Sequence, residues 1–239
     1  MTDPTHTGPT LPRTIAIDGP AGSGKTTVAA ALSKELGYTF VDTGAFYRAV
    51  TLAGLRAGLL DQEAALIGLV RGLHLTSTPP TDSERADGRH YTMRLDGEDV
   101  TAALRTAEVE ANVSRVAAIS EVRTVLNQIF RALAAEAPRL VLVGRDIGTV
   151  VLPDAQVKVY LDASLAVRAI RRGQQTGTSD LPAVQTALAN RDWTDSTREV
   201  APLQIAPDAI YIDTDELPIE AVIAQILNAI RTWTPRPTP

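Results

Sequence analysis

Eight consecutive residues, Gly19-Pro20-Ala21-Gly22-Ser23-Gly24-Lys25-Thr26, fit the pattern G-x-x-x-x-G-K-[ST] without a gap. Glycines let such a backbone curl until successive N–H groups point inward, as phosphate oxygens require. A helix starting at the end of the loop adds the positive end of its dipole. Lys25 is then placed to neutralise β- and γ-phosphates, and the Thr26 hydroxyl to ligate Mg²⁺. Nucleotide contacts are expected from Gly19 through Thr27. Lys25 is one of only three lysines among 23 basic residues, the others being Lys34 and Lys158. A Gly-rich strand-to-helix turn without a ligand is the plain alternative.

A phosphate loop alone does not choose a reaction. Guanine-reading switches use N-K-x-D and D-x-x-G, and neither pattern occurs. A kinase for a small acceptor fits the chain length better than a motor. An acceptor that is itself a phosphate must approach the γ-phosphate against charge repulsion, so positioning and charge neutralisation carry the catalysis. Arginine suits that task because its planar fork matches phosphate oxygens. Three segments supply it: Asp42 to Arg48 (DTGAFYR), Gly144 to Thr149 (GRDIGT) and Arg191 to Arg198 (RDWTDSTR). Plainer readings stand beside this one. Arg48 could be a solvated surface residue, Arg145 half of a structural ion pair, Arg191 and Arg198 a charged helix end. Asp18, just before the loop, could cap a turn or stand near Mg²⁺. Asp162 reads first as the cap of the helix that follows Ser164.

The elements that must hold these residues alternate. Short apolar runs at 13–18, 38–42, 139–143, 156–161 and 209–213 read as buried strands. Helical periodicity is expected over 27–36, 44–57, 61–73, 106–117, 120–137, 164–172, 181–192 and 218–233. This predicts an α/β fold with a parallel five-stranded sheet and helices on both faces. Short strands at 74–78 and 90–95 around a turn-rich stretch interrupt the alternation. They mark 61–117 as an inserted subdomain within a core of 13–60 and 118–232. A polar connector at 173–180 separates two late helices. Residues 1–12 and 233–239 read as a disordered leader and tail.

With no cysteine, thiolate chemistry and disulfides are excluded. A net charge of −5 argues against a general nucleic-acid binder. No apolar run approaches the roughly 18–20 residues of a membrane helix.

Taken in order, IDGPAGSGKTT, DTGAFYRA, GRDIGTVVLPDA, VYLDAS and RDWTDSTREVAPL closely resemble the bacterial cytidylate kinases, from about Thr14 to Ile230. The insertion is similar to the extra nucleotide-binding subdomain of their long form. The resemblance implies ATP and CMP or dCMP as substrates, Mg²⁺ with the ATP, a phosphotransferase activity, and a cytoplasmic monomer. It implies that Arg48, Arg145 and Arg198 hold the acceptor phosphate, with Thr43 beside them. Arg191 and Asp195 would hold the ribose, and Ser114, Arg123 and Asp146 would read cytosine. Lys25, Arg145, Arg191 and Arg198 would act on the transferring group. Residues 173–198 would form a mobile lid that brings Arg191 and Arg198 toward the loop. Arg168, Arg171 and Arg172 match basic positions without a defined role. The family commonly carries an acid before Gly-Arg-Asp, where this chain has Val143. Two other readings stay open: a kinase for UMP, shikimate or gluconate, and a nucleotide-binding module without turnover.

Overall fold

The structure, a computed structural model, describes residues 11–234. The expected leader lies almost wholly, and the tail mostly, outside the described residues. Five parallel strands form the main sheet: β1 (Thr14–Asp18), β2 (Thr39–Asp42), β6 (Leu140–Val143), β7 (Val157–Asp162) and β8 (Ile210–Asp213). They run in the order β2-β6-β1-β7-β8. The inner strands β1, β6 and β7 are near-continuously apolar because residues alternate between two covered faces. Ile15, Ile17, Val141 and Val143 point to one face, under α1 (Lys25–Leu36) and α8 (Ile219–Thr232). Ala16, Leu140 and Leu142 point to the other, under α2 (Thr43–Ala57) and α5 (Ser120–Glu136).

The inserted region contains α3 (Glu63–Gly72), α4 (Ala107–Ala118) and a small antiparallel sheet. That sheet holds β3 (Leu75–Thr78), β4 (Thr92–Leu95) and the two-residue β5 (Glu98–Asp99). The charged β5 has no apolar alternation to announce it. This region makes no core of its own. Leu66, Met93, Leu104, Val109 and Val113 join Phe46 and Phe130 in one cluster. Phe46 and Phe130 meet edge-on at 5.2 Å, a favourable aromatic geometry.

Two late helices differ from expectation. α6 runs over Leu165–Thr176, and α7 over Leu181–Thr197. The polar connector therefore shrinks to Gly177 through Asp180, and α7 continues past 192 without a break. Asp180 caps α7 by accepting from the Ala183 N–H at 3.0 Å, and Pro182 occupies the first turn. Arg191 and Asp195 thus share one helical face, four residues apart. The cap of α6 is Ser164 itself, which accepts from Val167. Asp162, expected as that cap, instead accepts from Ala163 N–H and Tyr211 Oη. Among the described residues no helix is long and apolar enough to cross a membrane.

Asp18 ties the sheet to the segment after β6. Its two carboxylate oxygens accept from the backbone of Ile147 at 2.8 Å and Gly148 at 2.7 Å. They anchor a wide turn closed by i→i+5 bonds, Asp146 O to Val151 N and Ile147 O to Leu152 N. Asp18 is therefore the turn-holding residue of its two readings. Burial raises its pKa from 3.8 to about 6, outweighing the two backbone N–H groups that favour the anion. The folded protein thus binds this proton more tightly than the unfolded chain. The associated stability is complete below pH 3.8 and is lost as pH rises through about 6. For a shift of this size it amounts to about 2–3 kcal/mol. The unfolding free energy of the wild type from urea titrations, referenced to Asp18→Asn, should fall by that order between pH 4 and 7. A pH-independent difference would show that Asp18 ionises normally.

Candidate active site

All the expected chemistry lies at the carboxyl edge of the main sheet, where β1, β2, β6, β7 and β8 end. Open parallel sheets bind ligands there, at the point where successive crossovers leave in opposite directions. β2 and β6 lie to one side of β1, and β7 and β8 to the other. A continuous cavity of ≈ 1010 Å³ follows this edge. Of the residues expected from sequence, all but Gly19 and Pro20 line it.

The loop from Gly19 to Gly24 leaves β1 and enters α1. Gly19 has φ 145°, and a Cβ there would lie 2.0 Å from the Leu161 carbonyl oxygen, so only glycine fits. Gly24 starts α1 at φ 88° with no side-chain cap. The first-turn amides of α1 therefore face the cavity without an internal acceptor of that kind. Lys25 Nζ arches back over the loop, donating to Pro20 O and to Ser23 Oγ at 3.2 Å. Burial, helped by the nearby Arg145, lowers its pKa well below 10.5. An anion beside Lys25 would offset that penalty. Thr26 Oγ1 donates to Asp42 Oδ2 at 2.8 Å, and the other Asp42 oxygen caps α2 through Gly44 N–H at 2.9 Å. Asp42 was not singled out from sequence. Its signal was available, as an acid ending the strand next to the loop helix.

Arg48 comes from α2, Arg145 from the segment after β6, and Arg191 and Arg198 from α7 and its C-cap, and each has a carboxylate partner. Arg48 on α2 donates Nε to Glu110 at 3.0 Å and Nη1 to Gly44 O at 3.1 Å. Arg145, after β6, donates to Asp195 at 3.0 Å. Arg191 donates to Glu110 at 3.2 Å, and Arg198 lies 3.6 Å from Asp146 and 3.8 Å from Asp195. Burial, with Arg48 and Arg145 close by, lowers Arg191 to about 10, so it stays charged at neutral pH. Burial alone would raise Asp195, yet Arg145, Arg191 and Arg198 hold it below its ordinary value. Val143 fits this arrangement. Its side chain belongs to the apolar cluster under α1, its carbonyl accepts from Thr43 Oγ1 at 2.8 Å, and Arg145 finds its acid on α7.

Arg123 on α5 and Asp146 form a buried ion pair, with Arg123 also donating to Ala117 O at 3.1 Å. The guanidinium sits 5.4 Å from the centroid of the Tyr47 ring. Ser114 on α4 is half-buried and lines the same cavity. The three basic residues without a defined role separate cleanly. Arg168 donates to Ala21 O at 3.1 Å and Asp192 at 2.6 Å, joining the loop to α7. Arg171 donates to Thr214 Oγ1 at 2.9 Å, past β8. Arg172 pairs with Glu110 at 3.1 Å. Glu110 and Tyr47 carried no signal in sequence, since neither sits in a chemically distinctive spacing.

With this geometry established, comparison with known proteins is decisive. The family model described as cytidylate kinase matches residues 15–232. This chain belongs to the cytidylate kinase family. A cytidylate kinase of Exiguobacterium sibiricum is 46% identical over 217 residues, covering 89% of this chain and 94% of that protein. A bifunctional pantoate ligase/cytidylate kinase of Synechococcus is 44% identical over 92% of this chain, which spans 43% of that longer protein. Among solved structures, a shikimate kinase of Acinetobacter baumannii aligns with a TM-score of 0.47 at 17% identity, over 93% of this chain and 94% of that one. The chain is accordingly a kinase, a transferase that carries out nucleotide-dependent phosphoryl transfer.

Lys25→Ala should lower kcat on the order of 10²–10³-fold or more, because a preorganised cation at the transferring group is lost. Its melting temperature should stay near that of the wild type, since the substitution removes a buried charge. Normal turnover in that variant would end the assignment of the loop.

Proposed function

We propose that this chain transfers the γ-phosphoryl group of ATP directly to CMP or dCMP, giving ADP and CDP or dCDP. The observation that carries the choice of base is the buried Arg123–Asp146 pair at the cavity wall. Loop amides and Lys25 would cradle the β- and γ-phosphates. Arg48, Arg145 and Arg198 would draw in the acceptor phosphate, and Arg191 with Asp195 would hold the ribose. Closing the cleft with charged forks offsets repulsion between the two phosphates and aligns them for in-line attack. Lone pairs of the acceptor phosphate make the new bond, and the β–γ bridging oxygen leaves with ADP.

Mg²⁺ suits the oxygen donors at the loop mouth, Thr26 Oγ1 and Asp42 Oδ2, which lie 2.8 Å apart. Hard oxygen ligands and few protein contacts are what this ion takes. When bound, Mg²⁺ offsets phosphate charge. We further assign 61–117 as the acceptor-side subdomain and 173–198 as the lid. Arg168 bonds both Asp192 on α7 and Ala21 O in the loop, and Arg191–Glu110 joins α7 to α4. The protein is proposed to work as a cytoplasmic monomer with no nucleic-acid or membrane partner.

Base choice follows from donor and acceptor order. Cytosine offers an N4 amino donor with N3 and O2 acceptors, which suit a carboxylate and a guanidinium. Uracil reverses the pattern at both positions, so both contacts become repulsive. The wild type should prefer CMP over UMP by roughly 10²-fold or more in kcat/KM. Asp146→Asn and Arg123→Gln should each lower kcat/KM for CMP and narrow that gap, with the ATP KM little changed. If Asp146→Asn instead abolishes Mg²⁺ dependence and leaves base preference intact, Asp146 serves the metal and the base assignment is wrong.

A further inference from the structure

Glu110 is the most heavily paired carboxylate of the cleft, and nothing in the phosphoryl-transfer scheme yet uses it. It projects from α4, whose apolar positions Val109, Val113 and Val116 are buried in the shared cluster. Position 110 is off that stripe, and a glutamate there would ordinarily reach for solvent. Instead it lines the cavity. Oε1 accepts from Arg48 Nε at 3.0 Å and lies 3.1 Å from Arg172 Nη2 and 3.8 Å from Arg105 Nη1. Oε2 accepts from Arg191 Nη1 at 3.2 Å. Burial would raise its pKa, but Arg48, Arg191 and Arg172 outweigh this and hold it at about 2, so the carboxylate stays charged.

The origin of those cations is the telling feature. Arg48 belongs to the core helix α2 and Arg105 to the inserted region. Arg172 and Arg191 belong to α6 and α7, on the opposite side of the cleft. One carboxylate therefore bridges the inserted layer and the α6–α7 segment across the space that two nucleotides would share. Without it, Arg48, Arg172 and Arg191 would face one another with like charge in a low-dielectric cleft. Asp195 also reaches Arg191, at 4.0 Å, but its other pairs are with Arg145 and Arg198 rather than with Arg48 or Arg172.

We propose that Glu110 is a positioning residue that clasps α6 and α7 to the inserted layer, holding Arg172 and Arg191 over the phosphate loop and fixing Arg48 by its Nε edge. In this role it acts through those arginines rather than on a substrate. The idea rests on the kinase reading of this site and adds to it the element that sets lid geometry.

Glu110→Gln removes the charge at nearly constant shape. It should lower kcat with ATP and CMP by about 10-fold, since small misplacements of positioning groups carry that scale of loss. The ATP KM should change by less than about 2-fold. In nucleotide-free protein, amide hydrogen exchange across 165–198 should quicken, with β1 and β7 unaffected. Glu110→Asp, which keeps the charge, should recover part of both effects. Arg172→Gln should weaken turnover, and the double variant with Glu110→Gln should be little worse than the poorer single. Unchanged exchange across 165–198 overturns the clasp, and so does an unchanged kcat. A lower CMP KM with faster turnover would overturn it too, by making Glu110 a competitor of the acceptor phosphate. If the wild type fails to turn over CMP, the kinase reading fails, and the exchange measurement still judges the clasp alone.

Discussion

Guanidinium groups crowded around a narrow cleft repel one another, and the structure is arranged around that repulsion. Two unit charges 4 Å apart cost about 4 kcal/mol at the effective dielectric near a protein surface. Arg48, Arg145, Arg191 and Arg198 share one cavity with Lys25. Glu110, Asp146 and Asp195 are distributed among them so that every one of these arginines has an acidic neighbour. The partners are chosen to bind arginine edges rather than to fill the cleft. Nε of Arg48 and Nε of Arg145 are taken by carboxylates, which orients both forks. A buried ion pair of this kind contributes little net stability, because desolvation consumes most of its attraction. Its value here is geometric, as it decides where each fork points.

The sheet makes that placement possible. Its inner strands β1, β6 and β7 are buried on both faces, and all five strands end at the same edge. β1 delivers the phosphate loop, β2 delivers Asp42 and Thr43, and β6 delivers Arg145 and Asp146. Cross-links then fix these loops to one another. Asp18 holds the turn after Asp146, Thr43 bonds the carbonyl of Val143, and Thr26 bonds Asp42. A functional group held by packing and a supporting hydrogen bond keeps its geometry better than one on a free loop.

The opposite wall is held differently. α6 and α7 contribute only a small apolar cluster with the loop, built on Ala21, Ala169 and Leu188. Their attachment to the rest of the cleft is mainly ionic, through Arg145–Asp195 and the two arginines on Glu110. Segments with few buried apolar contacts open most readily. A wall fastened by charges can exchange those partners for phosphate oxygens, which offer the same acceptor chemistry. That combination, a rigid edge facing an ionically fastened wall, suits an enzyme that must admit two anions and then exclude water.

Local sequence carried the phosphate loop, the five core strands and the order of the arginine segments, because each depends on spacing over a few residues. The glycines needed at 19 and 24 and the apolar runs of the sheet are dictated by backbone sterics and burial, and the lysine at 25 by the charge of the phosphates. The resemblance to known kinases added Ser114 and Arg123, which periodicity would have left on a helix surface. Other features became visible only in three dimensions. α7 runs unbroken to Thr197 because tertiary ionic contacts hold its polar last turns, which no apolar stripe announces. Asp18 proved to be an anchor for a turn some 130 residues away, Asp42 the partner of Thr26, and Glu110 the hub for arginines from distant segments. Each of these roles is a pairing between charges far apart in the chain. Sequence specifies which charges exist, but only the folded backbone sets the distances over which charges act.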